Sequence, residues 1–469
     1  MRKRSAILAA IVVFGLGAGT VAAKAPKVTV RVDPRVELMS IVFRLAGNPE
    51  YGKGRVPGYT KAVEEHFGKF RGHEAVKIAA GMRRSNGVSY DAVAGMAVHL
   101  TDVKSLKLSV PFDPWPAALD KRWATKRDVE KFLSALRRFR DETKFEAFFA
   151  KQAPLYDLAV KRMRAVLAGD AGFEWFERFF GARPTARFSL VLGMLNGGQC
   201  YGPRVVTVDG TEELYCVLGV WQTDADGKPE FTRDMLGIVA HEFCHSFVNP
   251  LLNLHGYTLA AAGKRIFPAV REAMVRQAYV DWPTMMKESL VRACVVRYIL
   301  ATRGPAAAKS EAEDQVKLSF AWVPKLAALL GEYEKDRKKY RNLAAFLPKI
   351  VEFFDAWAAG MPDPPKVVSM VPANGASGID PAVTEIRVTF DRPMDTTGYS
   401  FVGGGPTFPT TTGRASWTPD GKTVVLPVKL TPNHRYEFWL NSGRFQAFRS
   451  REGVVLPSVH VTFGTGAGK

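Results

Sequence analysis

The sequence predicts an α+β protein: a helix-rich domain holding a small sheet, then an all-β sandwich. Three observations predict it. Apolar residues recur every three or four positions from about residue 35 to 360, the period of an amphipathic helix. A proline cluster then breaks the pattern at 362–365. Beyond it, apolar and polar residues alternate in short runs, the period of a strand. The chain has 469 residues, 47% hydrophobic and 24% charged, which excludes wholesale disorder, collagen and coiled coil. Four cysteines are too few for a disulfide-dense scaffold.

Taken from the N-terminus, Arg2, Lys3 and Arg4 precede an apolar run from Ala6 to Val13, then glycines, then Val21-Ala22-Ala23. A basic start, a short apolar run and small residues at the exit read as a secretory signal peptide, residues 1–23, cut after Ala23. The run is too short for a membrane span. The mature chain is expected to be exported, periplasmic or extracellular, with no transmembrane segment. Cleavage removes three of the charges that make up the formal +19, leaving +16. The basic residues fall at helix-like spacing, as in Lys161-Arg162-Arg164 and Lys335-Arg337-Lys338-Lys339. They read as solvated faces, and no nucleic-acid motif accompanies them.

The domain at 24–360 opens with helical periodicity: Val36-Leu38-Met39-Val42-Phe43, then Val129-Phe132-Leu133-Leu136. Strand texture occupies one stretch, through Arg187–Leu192, Arg204–Val208 and Tyr215–Trp221, with turn signals at Asn196-Gly197-Gly198 and Asp209-Gly210. Helical spacing returns, as in Leu326-Leu329-Leu330-Tyr333. Residues 361–365 form a short stiff linker, since three prolines in four positions cannot continue a helix. From 366 to 469 the runs Ile386-Val388-Phe390, Val424-Leu426-Val428, Tyr436-Phe438-Leu440 and Val459-Val461-Phe463 alternate, parted by turn clusters such as Pro419-Asp420-Gly421. That is the texture of a β-sandwich. Its segments Ser369–Gly375, Val388–Asp395, Leu430–Tyr436 and Val461–Thr465 are similar to bacterial Ig-like domains of the S-layer type. The resemblance implies a spacer or an envelope contact and no catalysis.

The chemistry lies in Ile238-Val239-Ala240-His241-Glu242-Phe243-Cys244-His245, an H-E-x-x-H motif. On a helix, His241 and His245 lie one turn apart on one face, so both imidazoles can hold a single Zn²⁺. Glu242 falls about 100° round the helix, placed to take a proton from water as general base. Histidine is 8 of 469 residues, so a chance match is expected in fewer than about 1% of chains of this composition. Leu236, Val239, Ala240, Phe243 and Phe247 form an apolar stripe on the other side. Thr232 or Asp234 is expected to cap the helix, and Asn249-Pro250 to end it.

A catalytic zinc needs a third protein ligand. Val248 and Leu251 stand where the metzincin pattern has glycine and histidine, which excludes that class. Glu288, on a helix predicted to begin near Pro283, is the preferred third ligand. His255, expected on a loop after Pro250, and Glu272 compete with it. The opposing reading of Glu288 is an ion pair with Arg292, four residues on. In the same helix Leu290, Val291, Val295 and Val296 argue for burial.

Together Val32–Leu38, Ser89–Val93, the His241–His245 stretch and Glu288–Ala293 resemble a bacterial family, domain of unknown function 4932, over much of residues 30–350. The resemblance implies a zincin-like metallopeptidase domain, with His241, Glu242 and His245 on its motif and Glu288 on its later acidic position. It supplies no substrate. The expected function is therefore an exported zinc-dependent hydrolase acting on a peptide or protein, cell-wall peptide included. The alternative is a catalytically inactive envelope binding or adhesion protein.

The segment Glu213–Trp221 is a candidate edge strand for pairing with an extended substrate, its opposing reading being an internal strand. Asn196–Gly202 either rims the cleft or is a plain turn. Tyr201, Tyr257, Tyr279 and Arg292 are unranked candidates for oxyanion stabilisation. Cys200, Cys216, Cys244 and Cys294 are open between disulfides and buried thiols. His66, His73 and His99 read as structural or exposed.

Overall fold

The computed structural model describes residues 28–468 except 117, 170 and 444. The signal peptide expected at 1–23 lies outside the described residues. About half of the chain is helical. Two compact units form. The first runs up to Phe247 and takes in Arg297–Ala308 and Tyr333–Leu343; the second comprises Val248–Val296, Lys309–Glu332 and Ala344 onward.

The first unit begins with strand β1 (Val28–Arg31) and helix α1 (Pro34–Leu45). Asp33 caps α1, accepting from the Arg35 amide at 3.0 Å, and Pro34 fixes the first turn. Helices α2 (Pro57–Phe67), α3 (Glu74–Asn86), α4 (Asp91–His99), α5 (Lys126–Glu142), α6 (Phe145–Lys151), α7 (Ala153–Ala168) and α8 (Glu174–Phe180) follow. The caps are local and legible. Thr125 Oγ1 accepts from the Asp128 amide at the head of α5, and Gly87 at φ 71° closes α3. The three histidines of this region are structural. His66 bonds the Thr143 carbonyl, His99 the Gly95 carbonyl, and His73 caps α3.

Strands β2 (Ala186–Gly193), β3 (Cys200–Tyr201), β4 (Arg204–Val206) and β5 (Glu212–Gly219) complete the sheet, with a small β6–β7 hairpin (Gln222–Thr223, Pro229–Glu230) after it. β1, β2 and β5 run parallel, in register Val30↔Leu190↔Cys216. β3 and β4 both pair antiparallel with β5. β2 from Phe188 and β5 from Leu214 are buried on both faces, so they read as near-continuous apolar runs, as parallel strands do. β1 escaped the sequence reading because four residues carry no period.

Helix α9 (Met235–His255) and the long helix α11 (Trp282–Lys317) each contribute residues to both units. α9 does not stop at Asn249-Pro250 as expected; Pro250 lies inside it. A proline there forfeits the bond to residue 246, and the helix continues past it to His255. α11 starts as predicted. Asp281 caps it, accepting from Thr284, with Pro283 in the first turn, and Gly304 at φ 84° interrupts it.

In the second unit, α10 (Ala260–Arg276) lies between those two helices in sequence; α12 (Val323–Lys335) and α13 (Leu343–Ala359) lead to the proline segment. Arg265 of α10 holds that segment. It donates to the carbonyls of Ala358 at 2.7 Å and Met361 at 2.9 Å, and pairs with Asp363. Strands β8 (Val367–Val371), β9 (Glu385–Phe390), β10 (Phe401–Val402), β11 (Thr410–Thr411), β12 (Ser416–Trp417), β13 (Thr423–Lys429), β14 (Arg435–Leu440) and β15 (Val459–Gly464) then form two antiparallel sheets. One has β8, β9, β13 and the short β11 and β12; the other has β10, β14 and β15. Alternate residues of β9, β13, β14 and β15, among them Ile386, Val424, Phe438 and Val461, share one core, as the period of two predicts.

Candidate metal centre

Two packing decisions build the site. On α9, Val239, Ala240, Phe243 and Phe247 are buried. The Phe243 ring meets Phe188 of β2 at 5.0 Å and Phe176 of α8 at 6.0 Å, and Phe247 stacks on Phe180 at 4.3 Å. Fixing that face fixes the opposite one, which carries His241 and His245. Their Nε2 atoms are 3.2 Å apart and their rings lie edge-on at 80°.

On α11, Leu290, Val291 and Cys294 are buried. Ser289 is buried too; its hydroxyl donates to the Met285 carbonyl at 2.7 Å and accepts from the Trp322 indole at 2.8 Å. That bond fixes the rotation of α11 where Glu288, the next residue back, is buried as well. The ligand atoms of His241, His245 and Glu288 all lie within 4.8 Å of one another. Among the described residues this is the one such group of three metal-ligating side chains.

The donor set fits a divalent zinc. Two imidazoles and one carboxylate leave a position open, the pattern of catalytic rather than structural sites. Zn–N bonds of about 2.0–2.1 Å in tetrahedral array put two nitrogens about 3.3 Å apart, beside the 3.2 Å found.

The ion pair that the spacing offers Glu288 does form, the Arg292 guanidinium standing 3.6 Å from its carboxylate. Arg292 is itself fixed on three sides. It donates to the Tyr279 hydroxyl at 2.9 Å and to Gln315, and lies over the Phe320 ring at 4.5 Å. Burial, then the neighbouring Glu288 carboxylate, push the Tyr279 phenol well above its usual range. Gln315 and Phe320 had no sequence signal, since nothing local marks them. Of the tyrosines left unranked, Tyr257 is 74% exposed, Tyr201 is buried on β3, and Tyr279 stands beside Glu288.

Glu242 is 7% exposed. Beside it the chain between β3 and β4 comes close to α9 at Gly202. A Cβ on Gly202 would meet the Glu242 carbonyl oxygen at 2.2 Å, so only glycine fits there. All four cysteines are free thiols. Burial, and then the charge of Glu242, raise Cys200 to about 12 and Cys216 well above its usual value. The Trp221 indole donates to Cys200 Sγ at 3.4 Å.

Neither competitor of Glu288 joins the group, and the candidate edge strand is corrected. His255 ends α9 about ten residues beyond His245, on the order of 15 Å along the axis, and is not in the ligand group. Glu272 is exposed on α10 and pairs with Arg449 at 2.9 Å. The segment at 213–221 does not supply a free edge, because β5 is bonded on both sides. The edge belongs to β3 and β4, and α4 packs against β4. Asn196–Gly198 is a packed turn: Asn196 is buried, Ser40 donates to it at 3.4 Å, and a Cβ on Gly197 would strike the Lys53 carbonyl. No helix among the described residues is long and apolar enough to cross a membrane.

Known proteins place the chain in sequence space. A family profile described as "Domain of unknown function (DUF4932)" matches residues 28–353, and one described as "Bacterial Ig-like domain" matches residues 362–465. Comparison with curated proteins returns no match. Among solved structures the chain is similar to "surface layer protein SbsC, domains 1-6" at 16% identity and a TM-score of 0.16. It is also similar to "S-layer protein rSbsC(31-844)" at 17% identity and a TM-score of 0.17. Each match covers 49% of this chain, which spans 33% of the length of either.

Proposed function

We propose that this chain, which belongs to the family described as domain of unknown function DUF4932, is an exported zinc-dependent hydrolase of the zincin type that cleaves peptide amides. The observation that carries the reading is the convergence of His241, His245 and Glu288 within 4.8 Å. Two come from one helical turn and the third from a separate buried helix.

His241, His245 and Glu288 would hold the metal. Lewis acidity, with the acidification of water to a pKa of about 7, is what zinc supplies in such a set. The residues of the chain do the rest. Glu242, one position from a ligand and off the ligand face, takes the proton from water and returns it to the leaving nitrogen. Arg292 orients Glu288, and is kept in place by Tyr279, Gln315 and Phe320. Tyr279 offers a phenol beside the ligands for the developing oxyanion. The edge at β3 offers main-chain groups to an extended peptide. The Ig-like domain gives the enzyme a contact with the envelope. A peptide or protein is the substrate class, cell-wall peptide included.

The test is metal content of the purified protein by elemental mass spectrometry, beside His241→Ala and Glu288→Ala. About one zinc per chain, lost or much weakened in both variants, is expected. No metal in the parent after zinc reconstitution defeats the reading. Retained metal without any turnover that Glu242→Ala abolishes would leave an envelope-binding protein with an idle zincin-like site.

A further inference from the structure

A second site lies in the first unit, away from the metal ligands. A cavity of about 540 Å³ opens where α2 begins, lined among others by Arg44, Arg55, Thr60, Lys61, Glu64 and Glu65. The charges on its wall are unevenly matched. Glu64 is paired with Arg71 at 2.5 Å, and Glu65 with Lys61 at 3.7 Å. Arg44 and Arg55 have no carboxylate. Each donates to one main-chain carbonyl, Arg44 to Tyr51 at 2.8 Å and Arg55 to Trp221. Among the described residues neither forms an ion pair.

Two further groups at this cavity lack partners. Arg44 Nε and Thr60 Oγ1 are both buried from solvent with no hydrogen-bond partner. Such groups cost free energy unless something bonds them. The head of α2 adds to the deficit. Its cap residue is Val56, which makes no side-chain cap bond, and Pro57 stands in the first turn. The amides of Gly58 and Tyr59 therefore point out of the helix start without an intrahelical acceptor, where the helix dipole favours negative charge. Pro57, the first residue of α2, lines the cavity.

Two guanidinium groups, a hydroxyl and an uncapped helix start on one cavity want the same thing: an anion with several oxygens. The volume is within the range of small-molecule sites and exceeds what a bare inorganic ion fills. We infer that this cavity binds a small organic anion through a terminal carboxylate or phosphate group held by Arg44 and Arg55. Thr60 supplies a hydroxyl bond. The reading is independent of the metal site, since no residue is shared.

The purified protein is titrated by calorimetry with succinate, glycerol phosphate and the uncharged succinamide, at ionic strength held constant with chloride. Saturable one-to-one binding of at least one anion and none of succinamide is expected. Arg44→Gln and Arg55→Gln should each weaken it by roughly ten-fold or more. Thr60→Val keeps the shape and both arginines, and should weaken it several-fold in a protein that still folds. Succinate alone identifies a carboxylate ligand; glycerol phosphate alone identifies a phosphate. Absence of saturable binding overturns the inference, as does binding that all three variants leave unchanged. In either case the two arginines serve only to hold the carbonyls of Tyr51 and Trp221.

Discussion

Gly202→Ala tests how tightly the sheet edge is built against the motif helix. The added Cβ would stand 2.2 Å from the Glu242 carbonyl oxygen, 2.9 Å from its carbon and 3.2 Å from its Cα. Ordinary contact begins at 3.4 Å, so the nearest atom must give by about 1.2 Å. All three atoms are backbone, and no rotamer relieves them. α9 is pinned through Phe243 and Phe247, so the turn between β3 and β4 is what moves. Overpacking of this kind costs about 1–3 kcal/mol. With an m-value of about 2–3 kcal/mol/M, the urea midpoint followed by tryptophan fluorescence should fall by roughly 0.5–1 M. Gly81→Ala is the control. Gly81 lies inside α3 with nothing within 4 Å of its Cβ position, so it should gain about 0.5–1 kcal/mol from helix propensity. A Gly202→Ala protein within about 0.5 kcal/mol of the parent would refute the claim that the edge and the helix are locked together.

Three more outcomes are expected. Glu242→Gln should keep zinc bound while lowering peptide hydrolysis by about 10²–10⁴-fold; loss of metal along with activity would make Glu242 a ligand or a fold residue. Arg292→Met should weaken zinc by about 10–100-fold in a chelator competition, because Glu288 loses the cation 3.6 Å from its carboxylate; an unchanged or higher affinity would sink the positioning role. Glu37 is fully buried; it accepts from Tyr59 at 2.6 Å and from the Met194 amide at 2.9 Å, with Tyr156 behind Tyr59 and Asp33 nearby. Burial raises its carboxyl to about 7. The folded state thus holds that proton to higher pH than the unfolded chain. This contribution is greatest below pH about 4.5 and is lost as pH rises to about 7, by about 3 kcal/mol. Glu37→Gln should remove that slope, read as urea midpoints at pH 4.5 and 7.5; parallel curves for the two proteins would count against it.

Much of the molecule was legible locally. The three-and-four spacing found the helices, and the alternation found β9, β13, β14 and β15, because burial of one face imposes a period on the residues that make it. His241 and His245 had to share a face once their segment was helical, and Glu242 had to fall off it. The same local rules misjudged Pro250. A proline disfavours a helix interior, yet α9 runs through this one to His255.

What the sequence by itself determined, then, was which residues are neighbours within one turn or one strand. The tertiary structure decided which turns meet. The group of metal-ligating side chains takes in Glu288 and neither His255 nor Glu272, and the Ser289–Trp322 bond with the buried Leu290 and Val291 fixes the rotation of α11 around it. β5 is internal, not an edge, because β3 and β4 fold back onto it. Gly202 is obligatory only because α9 passes 2.2 Å from where its Cβ would be. Arg44 and Arg55 look like any surface cations in the sequence, and become a candidate anion site only when the fold gives the nearby acids other partners. Periodicity is a property of the local chain, whereas convergence follows from burying many faces at once, and no single segment encodes it.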